Sequence, residues 1–99
     1  MIVRATARAT REIERTAAWW RDNRDAGDEL FLAELDVFTR LVAASPEAGQ
    51  RYGYRRDRLF RRWLLERTQV HVYYTVDLDA QIITVHAVWG ARRGRQPRL

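Results

Sequence analysis

Apolar residues alternate with others along the last third of the chain. Val70, Val72, Tyr74 and Val76 recur every second position, and after a DLDA break Ile83, Val85, Ala87 and Trp89 repeat the period. A period of two places one row of side chains against a core, so the pattern predicts a β-hairpin. Just upstream, Leu59 to Glu66 reads as a further strand, turned into the hairpin at Arg67 and Thr68. Toward the N-terminus the period lengthens. Ala9, Ile13, Ala17 and Trp20 recur at three- and four-residue spacing behind Thr6, a residue type that caps helices, and this predicts a helix ending near Arg24. Asp25, Ala26 and Gly27 make a turn. A second helix from about Asp28 carries Leu30, Phe31, Leu35, Phe38, Leu41 and Val42 on one stripe until Ser45 and Pro46 stop it. Ile2 to Arg4 reads as a short first strand, and Glu47 to Asp57, which follows Pro46 and holds Gly49 and Gly53, reads as a loop. The predicted class is α+β: a short N-terminal strand, then an antiparallel helical hairpin packed on a small, mainly antiparallel sheet, in the order β-α-α-β-β-β.

A register follows if the hairpin turn is Asp77 to Ala80. Val76 then lies opposite Gln81, Tyr73 opposite Thr84 and His71 opposite His86. Across the preceding turn Leu65 pairs with Val70 and Trp63 with Val72, which sets Arg62 beside Tyr73. One face of the sheet would collect Arg62, His71, Tyr73 and His86. The other, with Val70, Val72, Tyr74, Val76, Ile83, Val85 and Ala87, would receive the helices.

With 99 residues, residues 1–99 form a single domain, since a core of this size buries roughly two thirds of the surface its unfolded chain exposes. No apolar run approaches the roughly 18 residues of a membrane span, and no signal-peptide core is visible, so no membrane role is expected. The absence of Cys excludes disulfides and thiolate metal sites and fits a cytoplasmic protein. All 18 basic residues are Arg. A G- and C-rich coding sequence accounts for the missing Lys but not for the distribution. From Arg51 onward eleven Arg meet four acids, net +7, whereas the first fifty residues carry seven Arg and nine acids, net −2. A field polarised in this way suits an anionic partner.

Candidate chemistry is sparse. No zinc-protease, P-loop or nucleophile-elbow motif occurs, Asp77 with Asp79 reads as a turn rather than a metal site, and no cofactor is expected. Cleavage of RNA by its own 2′-hydroxyl needs a base, an acid and cations around the phosphate, and Arg62, His71, Tyr73 and His86 are the residues that would supply them. The tail after Trp89 offers only Arg92, Arg93, Arg95 and Arg98 as charged groups. Arg holds its proton, so these suit binding of an anionic target rather than proton transfer, and truncation after Gly90 is expected to leave the fold intact. Trp20 joins the buried stripe and Trp19 lies at its edge, where an exposed indole would anchor a partner.

The order of segments carries a resemblance over nearly the whole chain. AAWWRDNRDAGDELFLAEL in the helical hairpin, SPEAGQRY after it, RRWLLERTQVHVYYTVD and AVWGARRGRQP resemble plasmid-stabilisation toxins of the RelE/ParE superfamily, and the ParE-like branch most. The chain departs from the branch at Gly90, where a His is expected, so no role of that imidazole transfers. The resemblance implies the toxin of a type II toxin–antitoxin module, neutralised by a cognate antitoxin. In its ParE-like form it would be a non-enzymatic inhibitor of DNA gyrase using Arg62, Arg92, Arg93 and Arg95. In its RelE-like form it would be an endonuclease of ribosome-bound mRNA. A non-catalytic nucleic-acid-binding domain is the other class the basic sheet allows. Trp19, Phe31 and Leu35 on the helical hairpin are the expected antitoxin contacts.

Overall fold

In the computed structural model, which describes residues 1–99, the chain runs as β1 (Ile2–Ala5), α1 (Ala7–Asn23), α2 (Gly27–Ala44), β2 (Gln50–Arg55), β3 (Arg58–Leu65), β4 (Val70–Asp77) and β5 (Ile82–Gly90). The Thr6 hydroxyl accepts the Ala9 N–H at 3.0 Å and starts α1, a cap of a kind that contributes about 1 kcal/mol. The turn into α2 is tight. Ala26 sits in the left-handed region at φ 55°, and a Cβ on Gly27 would approach the Trp20 carbonyl oxygen to 2.3 Å, so glycine is what lets the second helix begin against the end of the first. Asp28 and Glu29 in its first turn favour the positive end of the helix dipole. No helix is long and apolar enough to cross a membrane.

The five strands form one sheet in the order β1-β5-β4-β3-β2, with β1 parallel to β5 and all other pairs antiparallel. Its helix-covered face holds the main core: Val70, Val72, Tyr74, Ile83, Val85 and Val88 meet Ala9, Phe31, Phe38 and Val42. Two polar anchors fix this layer. The Glu34 carboxylate accepts the N–H groups of Arg67 and Thr68, at 2.8 and 3.0 Å, and the Thr68 hydroxyl at 2.7 Å, which ties the β3–β4 turn to α2. The buried Tyr74 hydroxyl donates to the Pro46 carbonyl at 2.9 Å and accepts the Gly49 N–H at 2.8 Å, pinning the descent from α2 to β2.

The expected α+β class and element order stand, and the sheet is larger than expected. Glu47 to Asp57 is not all loop: Gln50–Arg55 is the edge strand β2, paired with β3 through a two-residue turn at Arg56 and Asp57, both at positive φ. Its ladder slips between Arg51 and Gly53, and Gly53 at φ 152° masks the period of two that would have marked a strand.

The β3–β4 register is as expected, with Leu65 opposite Val70, Trp63 opposite Val72 and Arg62 opposite Tyr73. The β4–β5 register is not. Val76 faces Ile83 and Thr75 faces Thr84, a slip of two that preserves the faces. Between Tyr73 and Tyr74 a bulge then adds one residue to β5, so Tyr73 faces Ala87 and His71 faces Trp89 rather than His86. Ala87 therefore lies on the face away from the helices, and Val88 takes its expected place in the core. Glu12 of α1 stabilises this irregularity. Its buried carboxylate accepts the Val88 N–H at 3.1 Å and pairs with Arg8 at 3.3 Å.

Candidate functional site

Away from the helices the sheet is lined by Phe60 and Arg62 of β3, His71, Tyr73 and Thr75 of β4, and His86 and Trp89 of β5, positioned by the alternation of each strand. Two clusters result. In the first, Tyr73 is fully buried, the Tyr52 ring of β2 meets it edge-on with centroids 5.0 Å apart, and His71 lies 6.0 Å from it. The guanidinium groups of Arg62 and Arg55 stand over the Tyr52 ring, 5.2 and 5.6 Å from its centroid. In the second, His86 Nε2 and the Thr75 hydroxyl share a hydrogen bond of 2.8 Å, and the imidazole packs on Phe60 with centroids 4.8 Å apart. The four residues expected to act together are thus divided: Arg62, His71 and Tyr73 converge, and the bulge moves His86 into separate company.

The electrostatics assign protonation states. Burial lowers the pKa of His71 below its usual 6.5, and the Arg62 charge lowers it further, so the imidazole is neutral near pH 7. Burial also lowers His86, with help from Arg58, Arg4 and Arg8. Burial raises Tyr73 above 10.0 against the pull of Arg62, so its phenol keeps its proton at neutral pH. A neutral imidazole, a protonated phenol and a permanent cation on neighbouring positions are a base, a donor and an anion holder.

The four arginines of the basic tail are exposed, yet the segment that carries them folds back onto the sheet. Gln96 Oε1 accepts from the hydroxyls of both Tyr73, at 3.2 Å, and Tyr52, at 3.3 Å. The Trp89 indole N–H donates to the Arg95 carbonyl at 2.9 Å, Arg93 stacks 3.9 Å from the Trp89 ring centroid, Pro97 is buried, and Arg8 donates to the Arg98 carbonyl. The segment thereby covers Tyr73 and Trp89, aromatic side chains that the helices do not reach. Of the expected target-binding arginines, Arg62 lies inside the first cluster, Arg93 and Arg95 border Trp89, and Arg92 is exposed.

On the helical hairpin Trp19 is 57% exposed, its ring edge-on to Trp20 at 5.2 Å. Phe31 is 0% exposed and Leu35 is half-buried against the core. Phe31 thus serves the core rather than a surface, because its position on the stripe is the one facing the sheet. Sequence reasoning missed Tyr52, Phe60, Thr75 and Gln96. Alternation within QRYGYR was the available signal for Tyr52, and nothing local marks Gln96.

No protein-family model and no curated protein matches the chain. Solved structures do. The isolated E. coli RelE toxin superposes with a TM-score of 0.62 at 21% identity, over 95% of this chain and 87% of that one. RelE in the archaeal RelE–RelB complex from Pyrococcus horikoshii OT3 gives 0.56 at 15% identity, over 94% and 97%. The chain shares its fold with these RelE structures.

Proposed function

We propose that this chain is the toxin of a type II toxin–antitoxin pair and that it acts on RNA, as a RelE-like endonuclease, through the face bearing Arg62, His71 and Tyr73. The observation that carries this reading is the convergence of those three side chains in complementary protonation states. The ribose 2′-oxygen would attack the adjacent phosphorus while neutral His71 takes the hydroxyl proton. The bond to the 5′-oxygen breaks, and that oxygen receives a proton from Tyr73. The products are a 2′,3′-cyclic phosphate and a 5′-hydroxyl, with Arg62 holding the charge that develops on the phosphoryl oxygens. The RelE likeness supports the reading, and the RelB-bound relative supports an antitoxin as partner. Exposed Trp19 is the anchor we assign to that antitoxin. Such targets place the protein in the cytoplasm.

A second reading, ParE-like inhibition of DNA gyrase, is favoured by two observations: Tyr73 is fully covered, and the charged groups of the tail are all Arg, an arrangement fit for binding without chemistry. Inducible expression with and without the neighbouring antitoxin frame, followed by mapping of mRNA ends on ribosomes and a supercoiling assay, separates them. Position-specific cuts lost in His71→Ala and Arg62→Ala establish the nuclease. Inhibited supercoiling with intact mRNA establishes the inhibitor, and unimpaired growth removes both.

A further inference from the structure

The C-terminal segment places an exposed carboxamide on the hydroxyls of two tyrosines. Gln96 Oε1 takes two phenolic hydrogen bonds, one from Tyr52 and one from Tyr73, at the edge of a Tyr52 ring that carries Arg62 and Arg55 beside it. The hydrogen bonding of the sheet does not need this contact, because the strands are complete at Gly90; what the contact covers is the buried Tyr73. The segment is nonetheless latched along its length, by the Arg95 carbonyl on Trp89, by buried Pro97 and by the Arg98 carbonyl on Arg8.

We propose that the paired hydroxyls of Tyr52 and Tyr73 form a nucleobase subsite and that Gln96 occupies them as an internal ligand, so that RNA engages this face only when the segment lifts. The proposal deepens the RNA reading given above and rests on it. A glutamine carboxamide presents the same acceptor and donor edge, C=O beside N–H, that uracil and guanine present. Two phenolic donors aimed at one oxygen select a base with a carbonyl, and adenine has none. The Tyr52 ring, over which Arg62 and Arg55 now stand, becomes a surface for stacking an unpaired base once those guanidinium groups swing to its phosphates. Lifting also exposes the indole of Trp89 and frees Arg93 and Arg95, which now border it, to meet phosphates. Because the closed segment competes with RNA, apparent affinity is reduced by the fraction of molecules that are open.

The test uses the full chain and fluorescein-labelled 2′-O-methyl trinucleotides, which bind without being cut, read by anisotropy. Gln96→Ala should bind the uridine trinucleotide about tenfold more tightly than the unchanged protein and the adenosine trinucleotide no more than about threefold more tightly. Saturating uridine trinucleotide should also speed amide hydrogen exchange across residues 92–99 of the unchanged protein. Equal or weaker uridine binding by the variant, an equal gain for adenosine, slowed exchange in the segment, or no binding to either protein would each overturn the subsite. Ribosomal mRNA cleavage is scored separately. Cuts without the Gln96 effect keep the nuclease and remove the subsite, whereas the effect without cuts does the reverse.

Discussion

The two faces of the sheet are covered by different means, and the difference separates stability from function. The helix-side face is sealed by two amphipathic helices whose aromatic and branched side chains form one continuous core. The opposite face buries Phe60, Tyr73 and Ala87 as well, yet its cover is a short irregular segment held by a few hydrogen bonds and one stacked arginine. Cover made of packed helices leaves only with global unfolding, whereas cover made of a strap opens at lower free energy and can expose chemistry without losing the fold.

The sharpest way to break this contrast is to cut each cover and compare the losses. Phe38→Ala, which empties a site that is 1% exposed between α2, Trp63 and Tyr74, should cost about 3–5 kcal/mol in urea unfolding. Deleting residues 92–99 removes the Gln96, Arg95 and Arg98 contacts and uncovers Tyr73, and should cost about 2 kcal/mol while leaving the protein folded. Equal losses would mean that the strap is a structural layer like the helices.

Acid distinguishes the faces next, because both histidines lie on the strap side. Their folded pKa values are below 6.5, so the unfolded chain binds more protons as pH falls through that value. Stability should therefore be full above about pH 6.5, decline as pH drops below it toward the folded values, and decline less in His86→Gln. A flat melting temperature from pH 7 to about 5 would show that neither imidazole is constrained by its surroundings. The smallest stability effect belongs to exposed Arg92. Arg92→Ala should change stability by less than about 0.5 kcal/mol, and the same variant should lower the salt slope of RNA binding by about one.

How much was legible follows the same division. The helix-side layer was readable because its periods are regular: Thr6 caps α1 as expected, the Phe31, Phe38 and Val42 stripe is buried, and the β3–β4 pairing is as the alternation implied. The other layer depends on events that leave no periodic trace. The bulge opposite Tyr73 and Tyr74 is held by Glu12, a charge on a helix face that reads as solvated until its Val88 partner, 76 positions away, is known. The return of Gln96 to Tyr73 is likewise a long-range contact between residues with no local signature. Arg62 beside Tyr73 was foreseeable from register alone, while the separation of His86 from His71 was not.

The parallel pairing of β1 with β5 also sets an order of events during synthesis. Ile2 leaves the ribosome first and waits for Ile82 before it has a strand to join, so the longest loop in the molecule closes last. The helical hairpin and the β2–β4 meander are local and complete earlier. On the reading proposed here, a chain that has not yet added β5 lacks His86 and Trp89 and hence the finished face, so activity waits for that strand to join the sheet.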